Sequence, residues 1–343
     1  MRALILQEPG RASIRQIPEP ARKPGEALLK VRRVGLCGSD LNSFRGRNPM
    51  VSFPRVPGHE VAATIMELDG PHPRFSVGMD VTLSPYTSCG QCASCRRGRN
   101  NACQSNQTLG VQRDGALTEY LCVPIDRLHP AKLSLKELCI VEPLTVGFHA
   151  VARGRVAQGE MVAILGCGGV GLGAVAASAF RGATTIAVDV DDAKLAIAKQ
   201  AGAVHVIHAQ QQNLSRELRT LTGGHGPDVM IEAIGAPDTF RLAAEEVAYT
   251  GRVVYIGYAK EPVCYETKLF VQKELDILGA RNALPEDFRS VIQMLEAGRF
   301  PVDAAVSSIV PLEDAPRIFE QWSAQPSRFS KIMIDLDSSS SGE

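Results

Sequence analysis

Four cysteines stand close together in this chain, Cys89-x2-Cys92-x2-Cys95-x7-Cys103, among turn-forming residues such as Gly90, Ser94, Gly98 and Asn100. Thiolates are soft donors, and four of them suit a tetrahedral zinc, with sulfurs about 2.3 Å from the ion. The segment has no apolar core of its own, so the metal would supply its order. Arg96, Arg97 and Arg99 can offset part of the negative charge of four thiolates. One Cys-x2-Cys step alone would leave a redox dithiol or a disulfide open; four cysteines within fifteen residues weigh against both. A closed four-thiolate shell has no position for substrate, so the expected ion is structural.

A second pattern, Gly166-Cys167-Gly168-Gly169-Val170-Gly171, fits G-x-G-x-x-G. It follows the strand candidate Met161 to Leu165 and opens a helix candidate, and Asp189 ends the next strand eighteen residues after Gly171. That is the context in which such a turn binds a dinucleotide. Gly166 makes the tight turn, Gly168 admits the pyrophosphate, and Gly171 lets helix and strand pack closely. The helix N-terminus offers N–H donors and positive potential to phosphate. Asp189 would accept from the adenosine ribose hydroxyls and repel a 2′-phosphate, so NAD is expected rather than NADP. Lys194 either reaches the ribose or is a solvated helix charge. The competing reading is a glycine-rich turn that binds no nucleotide.

Four more residues have ligand chemistry but are scattered: Cys37, His59, Glu60 and Glu142. Spacing alone does not unite them. Singly, Cys37 reads as a buried thiol and His59 as a loop histidine. Glu142 beside Pro143 stands out, because burying a lone carboxylate in an apolar stretch is costly. Ser39, by itself, reads as a turn or helix-capping serine.

The elements that must position these groups fall into two kinds. The chain has 343 residues, which at about 150 per domain suggests two domains. Up to about residue 142, short apolar runs such as Ala27 to Val34, Val61 to Met66 and Gly78 to Leu83 are broken by Gly and Pro, as in an irregular β-rich domain. From about residue 157, strand-like and helix-like segments alternate, which implies βαβ units and a parallel sheet covered on both faces. The fold class is therefore α/β. Lys plus Arg equals Asp plus Glu at 37 each, which removes the charge expected of a nucleic-acid binder or a protein held on an anionic membrane. No apolar run is long enough to span a bilayer. Nine cysteines without an evident secretion signal point to thiols and metal ligands rather than disulfides, and to a cytoplasmic location. Residues 338–343 read as a disordered polar tail.

Taken together, Gly35-x-Cys37-Gly38-Ser39-Asp40, Gly58-His59-Glu60, the four-cysteine lobe, Glu142-Pro143 and the Gly166 to Gly171 turn resemble the zinc-dependent medium-chain alcohol dehydrogenases over nearly the whole chain. The resemblance implies a GroES-like catalytic domain over 1–145, a doubly wound Rossmann domain over 146–280 and a return to the catalytic domain over 281–337. It implies two zinc ions per chain. The catalytic one would be held by Cys37, His59 and Glu142, with Glu60 as the alternative carboxylate; the structural one by Cys89, Cys92, Cys95 and Cys103. A carboxylate in place of a third cysteine marks the polyol and sugar branch. NAD would lie on Gly166, Gly168, Gly169, Val170, Gly171, Asp189 and Lys194. Ser39 would take the alcohol proton. Many relatives end that relay on a histidine where this chain has Asn42, which cannot act as a base, so a water chain is expected instead. Arg281 resembles an arginine near the zinc water, and Arg45, Arg47 and Arg55 are further candidates for a substrate carboxylate.

Within the branch, the segments around Phe44 to Pro49, Phe53 to Glu60 and Ala280 to Phe288 are most similar to L-gulonate and L-galactonate 5-dehydrogenases and, over the first two, to starvation-sensing dehydrogenases. The implied activity is oxidation of a secondary hydroxyl of a sugar acid or polyol. An L-threonine or cyclitol dehydrogenase is the nearest alternative; a non-catalytic dinucleotide-binding sensor is the alternative of another class. The zinc-free quinone reductase branch does not suit the cysteine lobe. The resemblance also implies a homodimer or homotetramer, and Val253 to Gly257 resembles the strands that pair across such dimers.

Overall fold

The computed structural model describes residues 1–337; the expected tail 338–343 lies outside the described residues. The chain divides into two compact units, Pro143–Pro301 and the remainder.

In the unit Pro143–Pro301, six strands form one parallel sheet. Their order is His205–His208, Thr184–Asp189, Met161–Leu165, Val229–Glu232, Arg252–Tyr255, Asp276–Gly279. The strand order reverses beside Met161–Leu165, which is the switch point where open α/β sheets bind ligands at their carboxyl ends. Val229–Glu232 is buried at every position and Met161–Leu165 at all but its first. Strands buried along nearly their whole length are covered on both faces. Arg252–Tyr255, expected to be a dimer-pairing strand, lies inside the sheet, because Asp276–Gly279 pairs with it and takes the edge.

The division between the units falls within the helix Leu135–Arg153, which carries Pro143. The spacing did not foretell this helix. Its later part packs on the helix Gly169–Phe180 through glycine. A Cβ on Gly147 would sit 2.2 Å from the Ala174 amide nitrogen, and one on Gly173 2.7 Å from the Leu144 carbonyl oxygen. The helix Pro285–Glu296, expected to belong to the returning segment, falls instead in this unit, and the return begins at Val302 rather than 281. Buried Asp287 explains the shift: its carboxylate meets His149 Nδ1 of Leu135–Arg153 at 2.9 Å.

The other unit is β-rich. Glu26–Leu36 is its longest strand and pairs antiparallel with Glu60–Glu67, Tyr120–Pro124 and Ile332–Asp335. Alternate residues of this strand, among them Leu29 and Val31, join Leu4, Leu6, Ile65, Leu83, Leu117 and Phe319 in one apolar cluster. The last strand thus returns from the far end of the chain to lie against Leu36 and Gly35, two residues before Cys37.

Gly147→Ala forces a methyl into a backbone that has no flexible end to move. It should lower the unfolding free energy by about 1–3 kcal/mol, read from denaturant melts, with the pattern of secondary structure retained.

Candidate active site and metal centres

The four-cysteine lobe closes on itself. One ligand atom from each of Cys89, Cys92, Cys95 and Cys103 lies within 4.8 Å of the others. Cys89 N donates to Cys103 Sγ at 3.3 Å and Cys92 N to Cys89 Sγ at 3.4 Å, contacts that favour thiolates. A hydrogen bond with Ser94 is the main reason the Cys92 thiol titrates lower than usual, at about 5. Burial and hydrogen bonding with Cys92 push Cys95 up to about 11. One soft, nearly closed set of four sulfurs fits a structural zinc.

The second cluster forms where three chain segments meet. Cys37 follows the long strand and caps the helix Gly38–Phe44 with extended backbone. His59 precedes Glu60, the first residue of Glu60–Glu67. One ligand atom from each of Cys37, His59 and Glu60 lies within 4.8 Å of the others. Gly35 is required here, because a Cβ on it would stand 2.0 Å from Glu60 Oε2. Glu142 is buried near the same imidazole and carboxylate, whose charges act on it.

The groups around this cluster hold its parts in register. Asp40 accepts from Cys37 N at 2.8 Å and from Gly58 N at 3.0 Å, so one buried carboxylate ties the Cys37 turn to the His59 turn. Burial pushes that carboxyl up, and the nearby His59 charge opposes the shift. Lys331, next to the returning strand, donates to both oxygens of Glu60 at 2.6 and 2.8 Å and to Leu36 O at 3.2 Å. Burial alone would lower the Lys331 ammonium, but Glu60 and Cys37 together raise it. Tyr86 donates a short hydrogen bond to Glu142 Oε1. Burial, reinforced by the Glu142 charge, holds the Tyr86 phenol well above its usual value, so it remains a donor. Cys139, one helical turn before Glu142, donates to Glu60 O at 3.3 Å.

These partners distinguish the two carboxylates. Both oxygens of Glu60 face Lys331, whereas Tyr86 addresses one oxygen of Glu142. The residues fit a divalent ion. His59 Nδ1 is buried and has no hydrogen-bond partner among the described residues. Burial alone would lower the imidazole, but the hydrogen bond with Cys37 and the charges of Cys37, Asp40 and Glu142 raise it well above its usual value. Ser39, two residues after Cys37, has a buried Oγ with no partner among the described residues, while Asn42 is exposed.

In the other unit, Gly166 has φ +95 and Gly168 precedes the helix Gly169–Phe180 with extended backbone. A Cβ on Gly171 would sit 1.8 Å from Gly166 O, so only glycine closes this turn. A Cβ on Gly168 would meet nothing within 4 Å, the open approach a pyrophosphate needs. Asp189 is nearly buried. It accepts from Cys167 N at 2.7 Å through Oδ2, and from Val190 N at 2.7 Å and Asp191 N at 3.1 Å through Oδ1. It therefore anchors the glycine turn and keeps acceptor capacity on Oδ2. Lys194 lies in the first turn of Asp192–Gln200, where Asp191 caps the helix.

The arginine candidates separate. Arg45 is bound to Ser323, and Arg55 pairs with Asp114 at 3.0 Å. Arg47 and Arg281 are exposed. Three supporting residues escaped the sequence reading. Asp40 could have been found as an acidic residue in the first turn after Cys37. Tyr86 and Lys331 carry no local signal, since their partners lie 56 and 271 residues away.

Lys331→Met would leave Glu60 buried beside other acidic groups without the ammonium that bonds both its oxygens. Loss of one partner of a buried pair should cost about 3–5 kcal/mol in urea unfolding. Adding Glu60→Gln should recover most of it; no recovery would show that the pair is not the source.

The zinc-binding dehydrogenase profile matches residues 169–297, and the alcohol dehydrogenase GroES-like domain profile matches residues 23–133. L-galactonate-5-dehydrogenase of Escherichia coli K12 is 31% identical over 322 residues, covering 94% of this chain and 95% of that one. Sorbitol dehydrogenase of Bacillus subtilis 168 is 32% identical over 345 residues, covering 97% of each. The solved short chain alcohol dehydrogenase rspB of E. coli CFT073, complexed with NADH, is 26% identical with a TM-score of 0.90, covering 98% of this chain and 99% of that one. With its paired domains, its glycine turn and its buried ligand cluster, the chain belongs to the zinc-binding dehydrogenase family, in the polyol and sugar-acid branch, and is an oxidoreductase acting on a CH–OH group.

Proposed function

We propose that this enzyme oxidises a secondary hydroxyl of a sugar acid or polyol to the ketone with NAD⁺, in the manner of L-gulonate and L-galactonate 5-dehydrogenases. The observation that carries the proposal is the gathering of Cys37, His59 and Glu60 in one ligand set, with the buried Glu142 carboxylate coupled to the same imidazole and each carboxylate held by its own donor. Bound zinc would supply Lewis acidity to a hydroxyl, and bound NAD⁺ would supply the hydride acceptor. Cys37, His59 and Glu142 would hold the catalytic ion, which would activate the substrate hydroxyl. Glu60, held by Lys331, is the alternative carboxylate. Cys89, Cys92, Cys95 and Cys103 would hold the structural ion. Ser39 takes the hydroxyl proton, and water carries it on, since Asn42 is no base. Gly166 to Gly171 cradle the pyrophosphate; Asp189, with Lys194 beside it, binds the ribose. Arg281 is the candidate for a substrate carboxylate. The nine free thiols suit a reducing compartment, and the cytoplasm is the proposed location.

The purified enzyme should contain about two zinc ions per chain. It should reduce NAD⁺ with L-gulonate or L-galactonate in a screen that includes sorbitol, threonine, inositols and ethanol. Ser39→Ala should lower turnover while zinc content stays. A response confined to threonine or an inositol would move the substrate class, and no NAD⁺ reduction with any of them would overturn the reading.

A homodimer is the proposed assembly. Among the described residues, the edge strand Asp276–Gly279 pairs on one side only and exposes Ile277. Tyr249 and Val271, more than two-thirds exposed, lie on the flanking segments joined by Lys273. An unpaired strand edge is a template for pairing with another chain. Light scattering should give twice the chain mass of 36.8 kDa, or four times it for a tetramer, and Ile277→Lys should shift it towards the single chain.

A further inference from the structure

Glu232 ends the strand Val229–Glu232, beside Met161–Leu165 and its glycine turn. Its side chain is fully buried. One oxygen, Oε1, accepts from Ile234 N at 2.8 Å, Gly235 N at 2.7 Å and Thr239 Oγ1 at 2.8 Å. The other, Oε2, is buried with no hydrogen-bond partner among the described residues. Its space exists because residue 257 is glycine: a Cβ there would come within 2.5 Å of Oε2 and 2.4 Å of Gly235 N. The Glu232 carbonyl in turn accepts from Ile256 N at 2.9 Å and Gly257 N at 3.2 Å. One residue therefore binds the connections that follow two adjacent strands.

The first of those connections lies directly on the glycine turn. Ala233 N donates to Leu165 O at 2.9 Å, the last carbonyl before Gly166. Ile234 Cγ1 is 2.6 Å from where a Cβ of Gly166 would be, and Ala233 Cβ is 3.6 Å from that of Gly171. Residues 233–236 form no regular element, so the Glu232 carboxylate is what holds the amides of Ile234 and Gly235.

We infer that Glu232 is a positioning residue for dinucleotide binding: its carboxylate fixes residues 233–235 against Gly166 and Gly171 and so keeps the phosphate turn in its binding shape. This rests on the proposal that the turn binds NAD. Glu232 touches no reacting atom in this reading. It acts through the geometry of the segment beside the turn.

The test is NADH binding by fluorescence titration of the zinc-loaded enzyme, with melting of the cofactor-free enzyme as a parallel readout. Hydrogen bonds to a charged group are each worth enough that Glu232→Ala should weaken NADH binding about tenfold or more. Glu232→Gln keeps an acceptor oxygen for the same three donors and should stay within about threefold of the parent enzyme. Thr239→Val removes one donor and leaves the helix Pro237–Glu246 in place, so it should give an intermediate loss. In steady state, KM for NAD⁺ should rise while KM for the hydroxyl substrate and the zinc content stay. Parent enzyme that does not bind NADH would defeat the underlying reading. Parent enzyme that binds, with Glu232→Ala or, if that variant does not fold, Thr239→Val binding equally well, would overturn this inference alone. Equal losses in the Gln and Ala variants would also overturn it, because the acceptor geometry would then not matter.

Discussion

Acidic groups buried together are costly unless something positive or a good donor answers each of them. In the β-rich unit, Asp40, Glu60 and Glu142 share one buried region with Cys37 and His59. The surrounding structure is an answer to that constraint. Asp40 is met by two backbone amides, Glu60 by an ammonium and Glu142 by a phenol. Gly35 has no side chain because the Glu60 carboxylate occupies the space beside it. What stays unanswered among the described residues is the Nδ1 edge of His59, beside the Cys37 thiol with which the imidazole is hydrogen-bonded.

The parallel-sheet unit solves a different problem by a related device. Its glycines bring backbone against backbone, at Gly166 with Gly171, at Gly147 with Gly173 and at Gly235 with Gly257. Each pair removes a side chain so that two segments can touch. Carboxylates then lock what the glycines allow: Asp189 the glycine turn, Glu232 the segment beside it. Small residues set the distance and acidic residues set the register.

The chemistry-bearing residues were legible because their partners or their motifs are local. The Cys89 to Cys103 lobe and the Gly166 to Gly171 turn each lie within fifteen residues; the four sulfurs stand within 4.8 Å of one another, and Gly171 packs against Gly166 O. Cys37, His59, Glu60 and Glu142 were legible only by resemblance, since no spacing unites them. Lys331, Tyr86 and Glu232 were not legible, because each is defined by a tertiary neighbour. The start of the return carries no local mark for a similar reason: Pro285–Glu296 has an ordinary amphipathic pattern, and tertiary contacts such as Asp287 with His149 place it in the parallel-sheet unit. The helix Leu135–Arg153 was hidden by Pro143 and Gly147, residues that argue against a helix until its packing is known.

The two ligand clusters also differ in when they can form. The cysteine lobe closes a short loop, so its entropy of closure is small and, with its metal, it needs no residue from elsewhere in the chain. The other cluster waits for Lys331, 271 residues beyond Glu60, before its buried carboxylate is neutralised. A nascent or truncated chain lacking the last strand would hold one ordered lobe and one electrostatically frustrated cleft. The β-rich unit therefore has one ligand set that its own short loop brings together and one that depends on the far end of the chain.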